Sequence, residues 1–228
     1  MNLTDIAFFI VLLGDYALSG TIGLITLVPT LLITFLVVGI ARKTGLKKSY
    51  VTSAWIGMLS FLGLIALFLL IDDPTLISLS NIGAATLLFR VLYSLAIGFA
   101  SIPTTLVVPM IADVSDYETH KSGRYVPGMM GTIFSFIDQL VSSLAPTIVG
   151  AIVGIIGYTS KFPEVGEALT TPLFVVTLVL AFGLPALCLV VSLTAMKFYK
   201  LDAKKMEETQ KGIADVKEKA KKDGMAVI

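Results

Sequence analysis

Ala112-Asp113-Val114-Ser115-Asp116-Tyr117-Glu118-Thr119-His120-Lys121-Ser122-Gly123-Arg124 is a dense polar stretch set between two apolar runs, each long enough to cross a bilayer. At the C-terminal end of an apolar helix, Asp113, Asp116 and Glu118 meet the wrong pole of the helix dipole, a penalty of roughly several tenths of a kcal/mol for each charge. Lys121 and Arg124 follow closely enough to compensate them. A charged island of this kind between spans points to a membrane protein with a transport role rather than to an inert anchor.

The flanking composition agrees. Of 228 residues, 56% are hydrophobic and only 14% charged, and the charges crowd into short segments and the last thirty or so positions. Such a chain is an integral membrane protein. The net charge of +1 hides this segregation and gives no reason to expect a nucleic-acid partner. Cys188 stands alone in an apolar run, so cysteine supplies neither a disulfide framework nor a metal cluster. The N-terminus, Met1 to Asp5, lacks the basic region and cleavage site of a signal peptide, so insertion is expected through the chain's own helices.

A spanning helix needs roughly 20 apolar residues. Five segments satisfy this, at about 17–41, 51–71, 82–112, 126–157 and 172–198. The run Ile6 to Leu13 is too short, and is either the tail of a further span or a short interfacial helix. The expected fold is all-α, a polytopic transmembrane bundle over 1–200 with five full spans plus that short N-terminal helix, followed by a charged cytoplasmic tail over 201–228. Arg42, Lys43, Lys47 and Lys48, then Lys121 and Arg124, then the lysine-rich tail fall on one side of alternating spans. The positive-inside rule makes that side, and the C-terminus, cytoplasmic. The opposite loops, Asp72-Asp73-Pro74 and Lys161 to Glu167, are acidic or mixed. Pro29, Pro103, Pro109, Pro146, Pro185 and several glycines within spans are read as bundle packing, or, around Pro103 and Pro109, as kinks that let a helix bend during transport. In the tail, Glu207 with Lys211 and Glu218 with Lys222 stand at i,i+4 spacing. The tail is therefore a solvated helix or a contact for anionic lipid.

Two charges lie at membrane depth, Arg90 and Asp138. Asp138 falls about 17 Å of helix rise from Pro127, near the midplane, where a carboxylate needs a cation, neutralisation or a water-filled cavity. Gln139 adjoins it, with Ser135 and Ser142 one turn to either side. On the preceding span Ser101, Thr104 and Thr105 add hydroxyls at comparable depth. Together the two helices could line a hydrated pocket with the donors and acceptors a sugar requires. His120 is the only histidine, so no metal site is expected, and no Walker-type loop or catalytic constellation is present. The chain is not expected to be an enzyme.

The segment Met110 to Arg124, followed by Phe134-Ser135-Phe136-Ile137-Asp138-Gln139-Leu140, resembles the C-terminal half of the glycoside-pentoside-hexuronide cation symporters, melibiose permease-like members of the major facilitator superfamily. Leu13-Gly14-Asp15, Ile156-Gly157-Tyr158 and Phe198-Tyr199-Lys200-Leu201 add to the likeness, and Arg42 to Lys48 looks like the superfamily's degenerate loop motif with Arg42 in place of an aspartate. The resemblance implies that the five spans are helices eight to twelve of a six-helix C-terminal bundle. Where these symporters commonly carry a lysine in the eleventh helix, this chain has Gln139. It further implies secondary active transport of a sugar or glycoside, with sodium ion or proton as coupling ion and no other cofactor, in a cell membrane. The sugar would face Thr104, Ser135, Asp138 and Gln139, and Asp113, Asp116, Tyr117, Glu118, Lys121 and Arg124 would form a cytoplasmic gate. The resemblance implies a partnering N-terminal half. The alternative is a truncated or non-transporting half that dimerises with a second copy or serves as a scaffold.

Overall fold

The computed structural model describes residues 16–71, 74, 77, 83–122, 127–157 and 170–222. Six helices account for nearly all of them: α1 (Tyr16–Thr44), α2 (Leu46–Leu70), α3 (Ala84–Ser122), α4 (Pro127–Ile155), α5 (Thr171–Phe198) and α6 (Ala203–Lys222). Five are long and apolar enough to cross a membrane, α1 to α5. The run Ile6 to Leu13 lies outside the described residues, as do Asp72, Asp73 and the loop from Lys161 to Glu167.

The core is aromatic. Phe68 of α2 meets Phe89 of α3 edge-on at 5.8 Å and stacks on Phe182 of α5 at 5.8 Å, while Phe61 approaches Phe182 at 6.4 Å. Offset and edge contacts of this kind suit ring quadrupoles and add to packing where water supplies no hydrophobic drive. A second cluster nearer the α1–α2 turn joins Ala41, Tyr50, Ile102, Leu106, Met110 and Met196. The Tyr50 hydroxyl and Ser192 Oγ share a hydrogen bond that ties α2 to α5.

Glycines decide how closely the helices approach. A Cβ on Gly57 would stand 3.3 Å from the Ala100 backbone nitrogen, and one on Gly98 would stand 2.6 Å from Ile33 Cδ1. These are packing glycines of the small-residue type found between membrane helices. Gly39, Gly150 and Gly154 instead face open space.

Within α5, residues Val179–Gly183 form a π-helical turn in which the Leu184 N–H reaches back to Val179 O. Pro185 follows directly and lacks an N–H, so the ladder slips by one residue there. The slip falls beside Phe182, which is 1% exposed at the core.

Two boundaries differ from the hydropathic expectation. α3 does not end near 112 but runs to Ser122, so the polar stretch Asp113 to Ser122 is helix rather than loop. Helical hydrogen bonding is indifferent to side-chain polarity, and 39 residues give about 58 Å of helix, far more than the hydrocarbon thickness. The tail is also no free solvated helix, because α6 folds back onto the end of α3.

α4 is the exception to the packing. No described residue along it is buried, and it leans on the bundle near its N-terminal end, where Met130, Ile133 and Phe134 face Val107, Met110, Ile111 and Val114 of α3 across a crevice of about 280 Å³.

Candidate functional site

At one end of the bundle the α1–α2 turn, the polar end of α3, the end of α5 and the start of α6 converge. Gly45 makes the turn at φ 90°, a left-handed conformation that suits glycine, and its absent Cβ is matched to Ala203, whose Cβ would lie 2.9 Å away. Lys47 Nζ donates to the carbonyl oxygen of Tyr199, an orphan acceptor at the end of α5. Asp202 then starts α6: its side chain accepts from the Lys205 N–H at 2.9 Å and its carbonyl from the Met206 N–H at 3.0 Å, the two marks of an N-cap.

α6 turns Met206 and Thr209, 8% and 2% exposed, towards the bundle. Its polar neighbours on α3 are Tyr117, His120 and Lys121, which with Lys205, Glu208 and Thr209 line a crevice of about 260 Å³. Lys205 Nζ sits 5.5 Å from the centre of the Tyr117 ring, a cation–π contact. His120 lies against Gly212 so closely that a Cβ there would be 2.1 Å from the imidazole Cε1.

The expected gate residues lie at this end of α3. Among the described residues, no ion pair joins Asp113, Asp116 or Glu118 to Lys121; the ion pair present is Lys211 with Glu207, 2.7 Å apart on α6. Arg124 lies outside the described residues. Asp113, Asp116, Tyr117 and Glu118 are half-buried on the last turns of α3, and Lys121 is exposed. The Tyr199 phenol is pushed up to about 12, by burial first and by the Asp113 charge second, and its oxygen is buried without a hydrogen-bond partner among the described residues, as is Ser115 Oγ.

The four residues expected to meet a sugar sit higher on α3 and α4. Thr104, Ser135, Asp138 and Gln139 are all exposed on the chain as it stands, and none is hydrogen-bonded to another. Val107 of α3 and Phe134 of α4 face the same crevice, which sets Thr104 and Asp138, about one turn beyond on each antiparallel helix, at similar height. Ser101 Oγ and Thr105 Oγ1 are committed to their own helix, donating to Gly98 O at 2.7 Å and Ser101 O at 2.9 Å. Asp138 has no cationic partner among the described residues.

Sequence reasoning overlooked Lys205, Thr209 and Gly212. The signal was present: Met206, Thr209 and Ile213 recur at i, i+3 and i+7 in an otherwise charged helix.

Five membrane-length apolar helices packed through glycines and aromatics define a multi-pass membrane protein. The family model described as MFS/sugar transport protein matches residues 6–203, and the chain belongs to that family. It is 32% identical over 106 residues to an uncharacterized 29.9 kDa protein in the crtE 3' region of Pseudescherichia vulneris, covering 46% of this chain and 37% of that protein. Over 81 residues it is 32% identical to the uncharacterized symporter YjmB of Bacillus subtilis (strain 168), covering 36% of this chain and 18% of that protein. The chain therefore matches well under half the length of each of these relatives. No solved structure matches it.

Proposed function

We propose that this chain is one bundle of a secondary active transporter that moves a sugar or glycoside together with a cation, sodium ion or proton, across a cell membrane. Membership of the sugar-transport family and the likeness to a protein named as a symporter support the class. The observation that carries the reading here is α4: an apolar helix with no buried described residue that nonetheless bears Ser135, Asp138 and Gln139 on open surface. Such a helix is built to be covered, and a second bundle facing it would complete a polar midplane site with Thr104 of α3. Transport then follows from rocking of the two bundles around that site. Asp113, Asp116, Tyr117, Glu118, Lys121 and Arg124 form the gate at the basic end, which the positive-inside rule makes cytoplasmic, and α6 closes on it from the same chain.

The test is uptake of labelled sugars into vesicles. With a partner bundle present, imposed sodium or proton gradients should drive accumulation, and Asp138→Asn should reduce it while leaving membrane insertion unchanged. Gradient-driven uptake by this chain alone would overturn the need for a second bundle, and undiminished uptake by Asp138→Asn would remove Asp138 from the site.

A further inference from the structure

The basic turn between α1 and α2 and the start of α6 are remote in sequence: Lys47 donates to Tyr199, at the end of α5 shortly before α6, 152 residues away. Between them lies an open crevice of about 460 Å³, lined by Thr44, Lys47, Lys48, Thr52, Asp202 and Lys204 among others. Its charge is one-sided. Three lysines and a single aspartate line the crevice, and Asp202 is already occupied as the N-cap acceptor of Lys205. Lys47 commits one of its three N–H donors to Tyr199 O, leaving two. Lys48 and Lys204 are exposed and have no ion-pair partner among the described residues.

The backbone adds to the imbalance. α2 begins at this crevice with no acidic residue in its first turn and no side-chain hydrogen bond capping it. The last turn of α1 adds Arg42 and Lys43 nearby. Thr52 contributes a hydroxyl on the α2 wall, and Val51 beside it gives an apolar patch. A concave site lined by three lysines and a threonine at the start of a helix has the donors that a tetrahedral oxyanion accepts from. It lies where apolar α1 and α5 both stop, the level at which phospholipid headgroups run.

We propose that this crevice binds a phosphate group, held by Lys47, Lys48 and Lys204. The headgroup of an anionic phospholipid is the source its position favours, and free phosphate is the other source of the same chemistry. Occupancy fastens α6 to the α1–α2 turn, because Lys204 belongs to one and Lys47 and Lys48 to the other.

The purified full chain in neutral detergent is titrated with dioctanoyl phosphatidylglycerol, with dioctanoyl phosphatidylcholine and with inorganic phosphate, and bound adducts are followed by native mass spectrometry. Phosphatidylglycerol should bind more tightly than phosphatidylcholine, and the double variant K48Q/K204Q should weaken it by about tenfold, the loss expected for charge-assisted hydrogen bonds. K211Q on the same helix, whose lysine is paired with Glu207, should leave binding unchanged. The single variants K48Q and K204Q, at exposed positions, keep the test readable should the double variant fail to fold. Displacement of phosphatidylglycerol by equimolar inorganic phosphate assigns the site to free phosphate; resistance to displacement assigns it to the lipid. Unchanged binding of both phosphatidylglycerol and phosphate in the lysine variants, or an equal loss in K211Q, overturns the proposal.

Discussion

Gly57→Val tests the crossing of α2 on α3. A Cβ at Gly57 would stand 3.3 Å from the Ala100 nitrogen, 3.4 Å from Leu189 Cδ1 and 3.5 Å from the Phe99 carbonyl carbon, so two of its three neighbours are α3 backbone. An alanine there regains about 0.5–1 kcal/mol of helix propensity and spends it against that contact. The valine adds two further carbons with no space to enter, and forcing α2 off α3 costs about 1–3 kcal/mol. Gly39→Val is the matched control, since nothing lies within 4 Å of a Cβ at Gly39. Gly98→Ala is intermediate, because the opposing atom is the terminal methyl of Ile33, which can rotate aside. Unfolding of the purified chain in SDS, followed by circular dichroism at 222 nm and by the lone Trp55, should show Gly57→Val less stable than Gly39→Val by about 1–3 kcal/mol. Equal stability of the two variants would refute the crossing of α2 on α3 at this point.

Asp202→Ala removes the N-cap of α6 and should destabilise its docking by about 1 kcal/mol, seen as faster hydrogen exchange at the amides of residues 203–206. The Glu207–Lys211 pair is pH-dependent on both flanks: hydrogen bonding and charge hold Glu207 below its ordinary value and Lys211 above its own. Its contribution to α6 is present above the unfolded carboxylate value and lost as pH falls through the lowered folded one; it is present below the unfolded lysine value and lost as pH rises through the raised folded one. Glu207→Gln should flatten the acid limb of an α6 helicity titration. Tyr199 is a raised acid, so folding does not oppose its protonated form below pH 10, and the stability is lost as pH rises towards about 12; absorbance at 295 nm should show a tyrosine still ionising near pH 12. Because its buried hydroxyl has no partner among the described residues, Tyr199→Phe should leave thermal stability unchanged or raise it.

The spans were legible because twenty-odd apolar residues in a row have one stable solution in lipid, and the lengths of α1, α2, α4 and α5 fall within a few residues of the expected ranges. The extent of α3 was not legible from hydropathy. Polarity marks where the bilayer ends, whereas the helix continues through Asp113 to Ser122 on backbone hydrogen bonds, with Thr119 Oγ1 and Ser122 Oγ turned inward to Ser115 O and Glu118 O. The Glu207–Lys211 pair was readable because i,i+4 spacing is local. The seating of α6 was hidden because its contacts, Gly45 with Ala203 and His120 with Gly212, join segments about 90 to 160 residues apart, and only tertiary structure brings them together. The polar residues on α4 were placed on the right helix, but what they face depends on a surface that local sequence does not encode.

That last point decides how α4 must be oriented. α2, α3 and α5 have spent their inner faces on Phe61, Phe68, Phe89 and Phe182, so a mid-span acid could be placed there only by displacing aromatic packing. α4 has no such commitment. Turned to lipid, Asp138 alone would cost about 2.5–3.5 kcal/mol, and Gln139, Ser135 and Ser142 would add to it on the same helix. An apolar helix does not gather these groups at mid-depth for a hydrocarbon environment, so the face bearing Asp138 belongs against protein or water. Asp138→Cys in a Cys188→Ala background makes this measurable, because Cys188 is exposed and would otherwise react. In a sealed membrane containing the assembled protein, a membrane-impermeant maleimide should label Cys at 138 in at least one of the two access states, and sugar should slow the reaction. Labelling by lipid-soluble maleimide alone would place this face in the bilayer and remove the case for a hydrated midplane site on α4.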